Sequence, residues 1–327
     1  MKTAIVTFTN QGDLIAEKLN KHMDIDLYSK KKQEDFNFKE VSKKLMKEYE
    51  AIIFISSTGI AVRAISPYLI SKTEDPAVVV IDNSSKYVIS LLSGHLGGAN
   101  ELTLKLAKIL DAAPIITTAT DNLNKVAPDM IAKDNNLIIN DMKEAKVIAA
   151  DLVQGKKVAF LDEKNLIGLP KGYISDLEKH SSLVCVTNKE MLSCNKDKFI
   201  LKLIRKDIVL GIGCRRNYDP EIMIVNVLRT LKENNIDRRS IKSVATVEIK
   251  KDEKAIIALA KELNAELKIF TVEDIRKIQD KFDGSDFVEK TIGVRAVAEP
   301  CVELAGGMVT IEKLKLNGMT FSAGELK

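Results

Sequence analysis

The sequence predicts an α/β protein: mostly parallel sheets with helices on both faces, in two or three modules. Three observations predict it. Apolar runs such as Ala51–Ile55 and Ala77–Ile81 are continuous and not alternating, as in strands buried on both faces. Stretches with helical spacing separate them, the clearest being Ala99–Leu110 with Leu102, Leu106 and Leu110 on one side. The alternation fades in the middle of the chain and restarts near residue 207, which fits more than one domain in 327 residues.

Taken in order, residues 3–8 read as a first buried strand and 13–21 as a helix with Leu14, Ile15 and Leu19 on one side. Lysine-rich 29–34 reads as a solvated loop. A helix at 39–49 leads into the strand Ala51–Ile55, and a second helix, 59–69, stops near Pro67. The strands Ala77–Ile81 and Tyr87–Leu92 flank Asp82-Asn83-Ser84-Ser85, a turn composition that predicts a hairpin. The helix Ala99–Leu110 and a strand at 114–117 close an amino-terminal domain, 1–121.

A small central α/β module, 122–206, carries a helix at 145–153, strands at 157–161 and 182–186, and a loop at 168–172. The carboxy-terminal domain, 207–327, opens with a strand at 207–212. Asp219 caps a helix whose first position is Pro220 and which runs to 232. Strands at 243–249 and 267–270 bracket a helix at 253–263. Helices at 271–279 and 294–304 follow, and a hairpin around Asn317-Gly318 joins 313–316 to 319–323.

Composition removes several classes of function. The net charge of +4 is spread along the chain, which gives no nucleic-acid footprint. The absence of Trp argues against base-stacking platforms. No apolar run reaches bilayer length, and the first residues make a poor signal peptide, so a cytoplasmic location is expected. Cys185, Cys194, Cys214 and Cys301 lack the spacing of zinc or redox motifs and read as reduced thiols. With only His22, His95 and His180, a multi-histidine metal site is nearly excluded and no protein-bound metal is expected.

Four segments are richer in Gly, Ser or Arg than core packing explains. Ser57, Thr58 and Gly59 follow a buried strand and open a helix bearing Arg63, an arrangement suited to an anion. The alternative is a capping turn that serves only the helix, and the cation of Arg63 favours the site. Ser93-Gly94-His95-Leu96-Gly97-Gly98-Ala99-Asn100-Glu101 is a second strand-to-helix passage. Its glycines allow close backbone approach, His95 can serve as an acid or base near neutral pH, and Glu101 can orient it or meet the helix dipole. Gly211-Ile212-Gly213-Cys214-Arg215-Arg216 lacks the third glycine of a dinucleotide fingerprint. Its arginines suit carboxylates, and Cys214 reads as a packed thiol more than a nucleophile. The fourth segment holds Arg295 and Glu299. Thr246 and Glu248 lie at a strand end and carry the same ambiguity between pocket edge and surface.

The order of these strings resembles a known family. Ser57-Thr58-Gly59-Ile60-Ala61-Val62-Arg63, Lys72-Thr73-Glu74-Asp75-Pro76-Ala77-Val78-Val79-Val80, Leu91-Leu92-Ser93-Gly94-His95-Leu96-Gly97-Gly98-Ala99-Asn100 and Ile115-Ile116-Thr117-Thr118-Ala119-Thr120-Asp121 are similar to the amino-terminal part of cobalt-precorrin-5A hydrolases. The strings at 211–216, 243–246 and 297–300 resemble that family's carboxy-terminal domain. The likeness covers about 52–121 and most of 208–323; the middle matches in position and length.

The resemblance implies hydrolysis of the ring δ-lactone of cobalt-precorrin-5A and loss of acetaldehyde to give cobalt-precorrin-5B, in anaerobic cobalamin biosynthesis. It implies a cobalt corrinoid as partner, with the cobalt carried by the substrate and no cofactor. It implies neither nucleic acid nor membrane; a homodimer and contacts with other corrin-pathway enzymes stay open. The chemistry, not the resemblance, assigns His95 as base, oriented by Glu101, with backbone N–H groups at Gly97-Gly98 or at Gly59 holding the oxyanion. Arg63, Arg215, Arg216 and Arg295 would pair with the substrate's carboxylates. The other expected contacts are Ser57, Thr58, Ser93, Gly94, Asn100, Gly213, Cys214, Thr246, Glu248 and Glu299. A non-catalytic corrinoid carrier, a dinucleotide oxidoreductase and a corrin methyltransferase are the competing readings.

Overall fold

The computed structural model describes residues 1–71, 73–118, 125–192 and 199–327. Lys72, Cys194 and residues 119–121 of the strings above lie outside these. The chain divides into two compact units, one built from 1–133, 149–156 and 170–173, the other from the remainder.

The first unit is organised by a six-stranded sheet of order β2-β1-β3-β4-β5-β6. Its strands are β1 (Thr3–Thr7), β2 (Asp26–Ser29), β3 (Ala51–Ile55), β4 (Ala77–Ile81), β5 (Tyr87–Leu92) and β6 (Ala113–Ile115). All neighbours run parallel except β4 and β5, which form the hairpin that the turn at 82–85 predicts.

The continuous apolar runs have the expected cause. Ile5, Ile53, Ile55, Val79 and Ile81 face α1 (Asn10–Asn20) and α4 (Ala99–Leu110). Ala4, Val6, Ile52, Phe54, Val78 and Val80 face the layer of α2 (Phe38–Glu48) and α3 (Thr58–Ile65). Alternate residues of each strand are thus buried on opposite faces. α1 begins earlier than its apolar pattern because the Thr9 side chain accepts the Gly12 N–H and caps it. The short edge strand β2 was not anticipated and meets the expected 29–34 loop only at Ser29. The helix α5 (Pro128–Asp134) was not anticipated.

The second unit carries two sheets. In one, β8 (Val158–Asp162), β9 (Ser182–Thr187) and β10 (Phe199–Ile204) run parallel, and β7 (Ile138–Ile139) pairs antiparallel with β10. In the other, the order is β13-β12-β11-β15-β14. Here β11 (Ile208–Cys214), β12 (Ile241–Val247) and β13 (Glu266–Phe270) are parallel, and β14 (Gly307–Leu316) with β15 (Met319–Leu326) forms the terminal hairpin.

One face of that sheet packs on the helices Pro220–Glu233 and Lys254–Glu262, the other on Val272–Arg276 and Ala298–Leu304. The last helix starts at Ala298, later than expected, and a further helix covers Asp286–Ile292. Gly211 lies beneath the Ala298–Leu304 helix: a Cβ there would stand 1.9 Å from the Ala298 carbonyl oxygen. The sheet and helix can meet only over a glycine.

Candidate active site

The loop between β5 and α4 shapes a cavity of about 250 Å³ in the first unit. Ser90, Ser93, Gly94, His95, Asn100, Thr117, Thr118, Asp75 and Asp129 contribute to its lining. The loop is held by a dense set of local bonds. Ser93 takes φ +55°, a left-handed backbone that non-glycine residues rarely adopt. Its hydroxyl donates to the Asp75 carbonyl at 3.0 Å, and its own carbonyl accepts the Ala99 N–H at 3.1 Å. Gly94 accepts the Asn100 N–H, and Gly98, at φ +86°, donates its N–H to the His95 carbonyl at 3.0 Å.

Two of the glycines are close-approach positions. A Cβ on Gly97 would lie 2.4 Å from that of Ser93, and one on Gly94 would lie 2.7 Å from Asn100 Oδ1. Asn100 is itself locked: Ser90 Oγ donates to its Oδ1 at 2.7 Å, and its Nδ2 donates to Thr118 Oγ1 at 3.0 Å.

His95 stands within this cavity, 16% exposed, with Nδ1 at 3.5 Å from Asp129 Oδ2. Lys133, one turn further along α5, donates from Nζ to the His95 carbonyl at 3.2 Å. The buried Tyr173 lies near Asp129, and burial together with that carboxylate pushes its phenol up. The expectation that Glu101 orients His95 is corrected by this geometry. Glu101 is exposed on the first turn of α4 and does not line the cavity; Asp129 is the carboxylate beside the imidazole.

Of the backbone N–H groups expected to hold the oxyanion, that of Gly98 is engaged inside the loop. The Gly98, Ala99 and Asn100 N–H groups all donate within the loop. Gly59 belongs to another part of the sheet. Ser57, Thr58, Gly59 and Arg63 are exposed where β3 ends and α3 begins, at the rim where β4 also ends. Because β5 runs against β4, Ser93 emerges beside the start of β4, at the opposite rim. The two rims are about 15 Å apart at ~3.3 Å per residue. The Ser57–Arg63 group therefore cannot meet the carbonyl that His95 would act on without a ligand spanning that distance.

Of the expected residues of the second unit, Gly213, Cys214, Arg215, Arg216, Thr246 and Glu248 gather at the carboxyl ends of β11 and β12. Arg216 helps line an open cavity of about 800 Å³ with Tyr218, Asp219, Lys250, Glu253 and Lys254. Arg215 lies over the Tyr218 ring, 5.6 Å from its centroid. Thr246 is buried and donates to the Ile212 carbonyl at 2.8 Å, stitching β12 to β11. Glu248 accepts the Val272 N–H at 2.8 Å.

Burial pushes the Cys214 thiol up to about 11; Glu253 adds to this and Lys250 opposes it. Gly213 is a packing position, since a Cβ would lie 2.6 Å from Thr320 Oγ1. Arg295 pairs with Glu289 at 3.7 Å and Asp286 at 4.0 Å. Glu299 is buried and accepts the Lys313 N–H at 3.1 Å, a contact that supports β14.

Sequence reasoning missed Asp75, Ser90, Thr117, Thr118 and Asp129 as cavity residues. Thr117-Thr118 stood in a quoted string with no role attached. Asp129 carries no local signal, because it reaches His95 only through the packing of α5.

Comparison with known proteins decides the family. Models described as cobalamin synthesis G N-terminal, cobalamin biosynthesis central region and cobalamin synthesis G C-terminus match residues 40–121, 126–198 and 208–324. A cobalt-precorrin-5A hydrolase of Salmonella typhimurium is 34% identical, covering 98% of this chain and 97% of the relative. The chain belongs to the cobalt-precorrin-5A hydrolase family. A second hydrolase of that name, from Priestia megaterium, is 32% identical over 83% of this chain and 76% of its own length. A Methanocaldococcus jannaschii relative is 30% identical over 98% of both chains. As a member of this family the protein is an enzyme of cobalamin biosynthesis. No helix among the described residues is long and apolar enough to cross a membrane.

Proposed function

We propose that the protein opens the δ-lactone of cobalt-precorrin-5A and releases acetaldehyde, and that the cavity around His95 is where this happens. The observation that carries the reading is the placement of His95. It is held on a rigid loop within a polar cavity, beside a carboxylate and among hydroxyl and amide groups. Lactone opening needs little more. His95 takes a proton from water, the hydroxide adds to the lactone carbonyl, and the acyl–oxygen bond breaks. The ring oxygen leaves as an alcohol, taking the proton back from the imidazolium.

Ser90, Asn100, Thr117 and Thr118 line the wall against which the carbonyl oxygen would gain charge. Deprotonation of the new alcohol then breaks the adjacent carbon–carbon bond. Acetaldehyde departs, the electron pair passes to the macrocycle, and a proton restores neutrality there. Neither step consumes an oxidant or a reductant, and in this reading the cobalt belongs to the substrate.

The cavity is small for a tetrapyrrole, so the lactone edge would enter it while most of the macrocycle stays outside. The second unit has a cavity of its own, lined in part by Arg216, whose guanidinium suits a carboxylate. The cytoplasm is the compartment in which such an intermediate would be met.

The test is an anaerobic assay with cobalt-precorrin-5A, trapping acetaldehyde and following the product by mass. One equivalent of acetaldehyde per product, lost in His95→Ala, is the expected result. Tight binding of the substrate by wild-type protein without acetaldehyde would instead make it a corrinoid carrier.

A further inference from the structure

We infer that Asp129 is the positioning residue of His95, fixing the imidazole tautomer and holding the imidazolium that forms during proton transfer. The inference rests on the reading of His95 as the base. Its starting point is geometric: Asp129 Oδ2 lies 3.5 Å from His95 Nδ1, and the two side chains are only 18% and 16% exposed. A carboxylate on that side favours the tautomer with its proton on Nδ1. Nε2 is then the nitrogen that receives the proton from water.

At 3.5 Å the separation is longer than an ordinary hydrogen bond. Catalytic contacts of this kind commonly tighten when substrate is bound. The same short helix grips the loop twice, since Lys133 donates to the His95 carbonyl while Asp129 faces the ring. α5 thus sets the His95 backbone and side chain together.

Among the described residues, several other charged and titratable groups lie nearby. Asp75 lines the same cavity, with its carboxylate engaged by the Ile70 N–H at 2.8 Å. Lys133 directs its ammonium to a carbonyl, and Tyr173 is buried beside Asp129. Glu101, the carboxylate nearest to His95 along the chain, is exposed on α4.

Two measurements on the full-length protein test the inference. The first is the pH dependence of kcat/KM for wild type, Asp129→Asn and Asp129→Glu. The asparagine variant is expected to lose about 10²–10⁴-fold in kcat with KM changed less than about threefold. Its acid limb should move to lower pH, because the imidazolium has lost its neighbouring negative charge. Glutamate should restore part of kcat.

The second is an NMR titration of the imidazole protons, readable because the chain has only three histidines. The His95 midpoint should fall in Asp129→Asn while His22 and His180 stay in place as internal controls. Asp129→Ser serves as a second variant, with the same expectation, should the amide disturb the helix. An unmoved His95 midpoint together with wild-type kcat in these variants overturns the inference and leaves the function standing if His95→Ala is dead. A fully active His95→Ala overturns the reading of the site itself.

Discussion

Ser57 and Ser93 each follow a strand that pairs with β4, yet they stand at opposite rims of the sheet. β3 lies parallel to β4, with Ile55 opposite Ile81, so Ser57 emerges where β4 ends. β5 is antiparallel, with Leu92 opposite Val78, so Ser93 emerges where β4 begins. Two segments that look equivalent in sequence, each a strand running into a Gly-containing helix start, are thereby separated in space.

This separation predicts different outcomes for substitutions at the two rims. Ser57→Ala and Arg63→Ala should leave kcat within about threefold of wild type, with any loss appearing in KM. Steady-state kinetics at saturating substrate reads this directly. A fall in kcat of about a hundredfold for Arg63→Ala would mean that both rims act on the same reacting group.

Cys214 is expected to be dispensable. Burial keeps its thiol protonated, at about 11, so almost no thiolate is present near neutral pH. Cys214→Ser should retain activity within about twofold, and the thiol of the folded protein should react slowly with iodoacetamide at neutral pH, accelerating only as pH nears its titration. Rapid labelling at pH 7 together with an inactive serine variant would restore Cys214 as a nucleophile.

Asp237 makes the second unit acid-sensitive in a defined window. Burial alone would push its carboxyl up. Hydrogen bonds from the Arg239 side chain and backbone, and from Lys202 at 3.0 Å, outweigh this and hold it at about 2. A carboxyl depressed in the folded state stabilises the protein above the ordinary carboxylate range near 4, and loses that contribution as pH falls through about 2. Asp237→Asn should therefore lower Tm clearly at pH 7, and the gap to wild type should narrow as pH drops from 4 towards 2. Melting curves across that range decide it; a gap independent of pH would show that the ion pairs contribute nothing.

Much of the fold was legible because burial on both faces writes itself into composition. Ala51–Ile55, Ala77–Ile81 and Tyr87–Leu92 have the expected limits, and Asp219 with Pro220 marks a helix start as expected. The short elements were not legible. β2 is a four-residue edge strand with polar ends, and α5 is a seven-residue helix too brief for a periodic signal.

The candidate site divides the same way. Ser93, Gly94, His95 and Asn100 meet in one cavity because they are neighbours along a single loop. Asp129 reaches His95 only through tertiary packing, which no local pattern records. Thr246, Gly213 and Glu299 each have a structural contact that the sequence alone does not show. A buried hydroxyl tying two strands, a close strand contact and a carboxylate receiving a backbone N–H all resemble site residues when read along the chain.

The reversed strand β5 has a consequence for how this domain can change over time. Were every strand parallel, all exit loops would crowd one border, and altering any of them would disturb the rest. Turning one strand around gives the domain two borders joined only through a buried apolar layer. A lineage can rewrite the β3–α3 passage while the β5–α4 loop keeps its form, so the two borders are free to drift at separate rates.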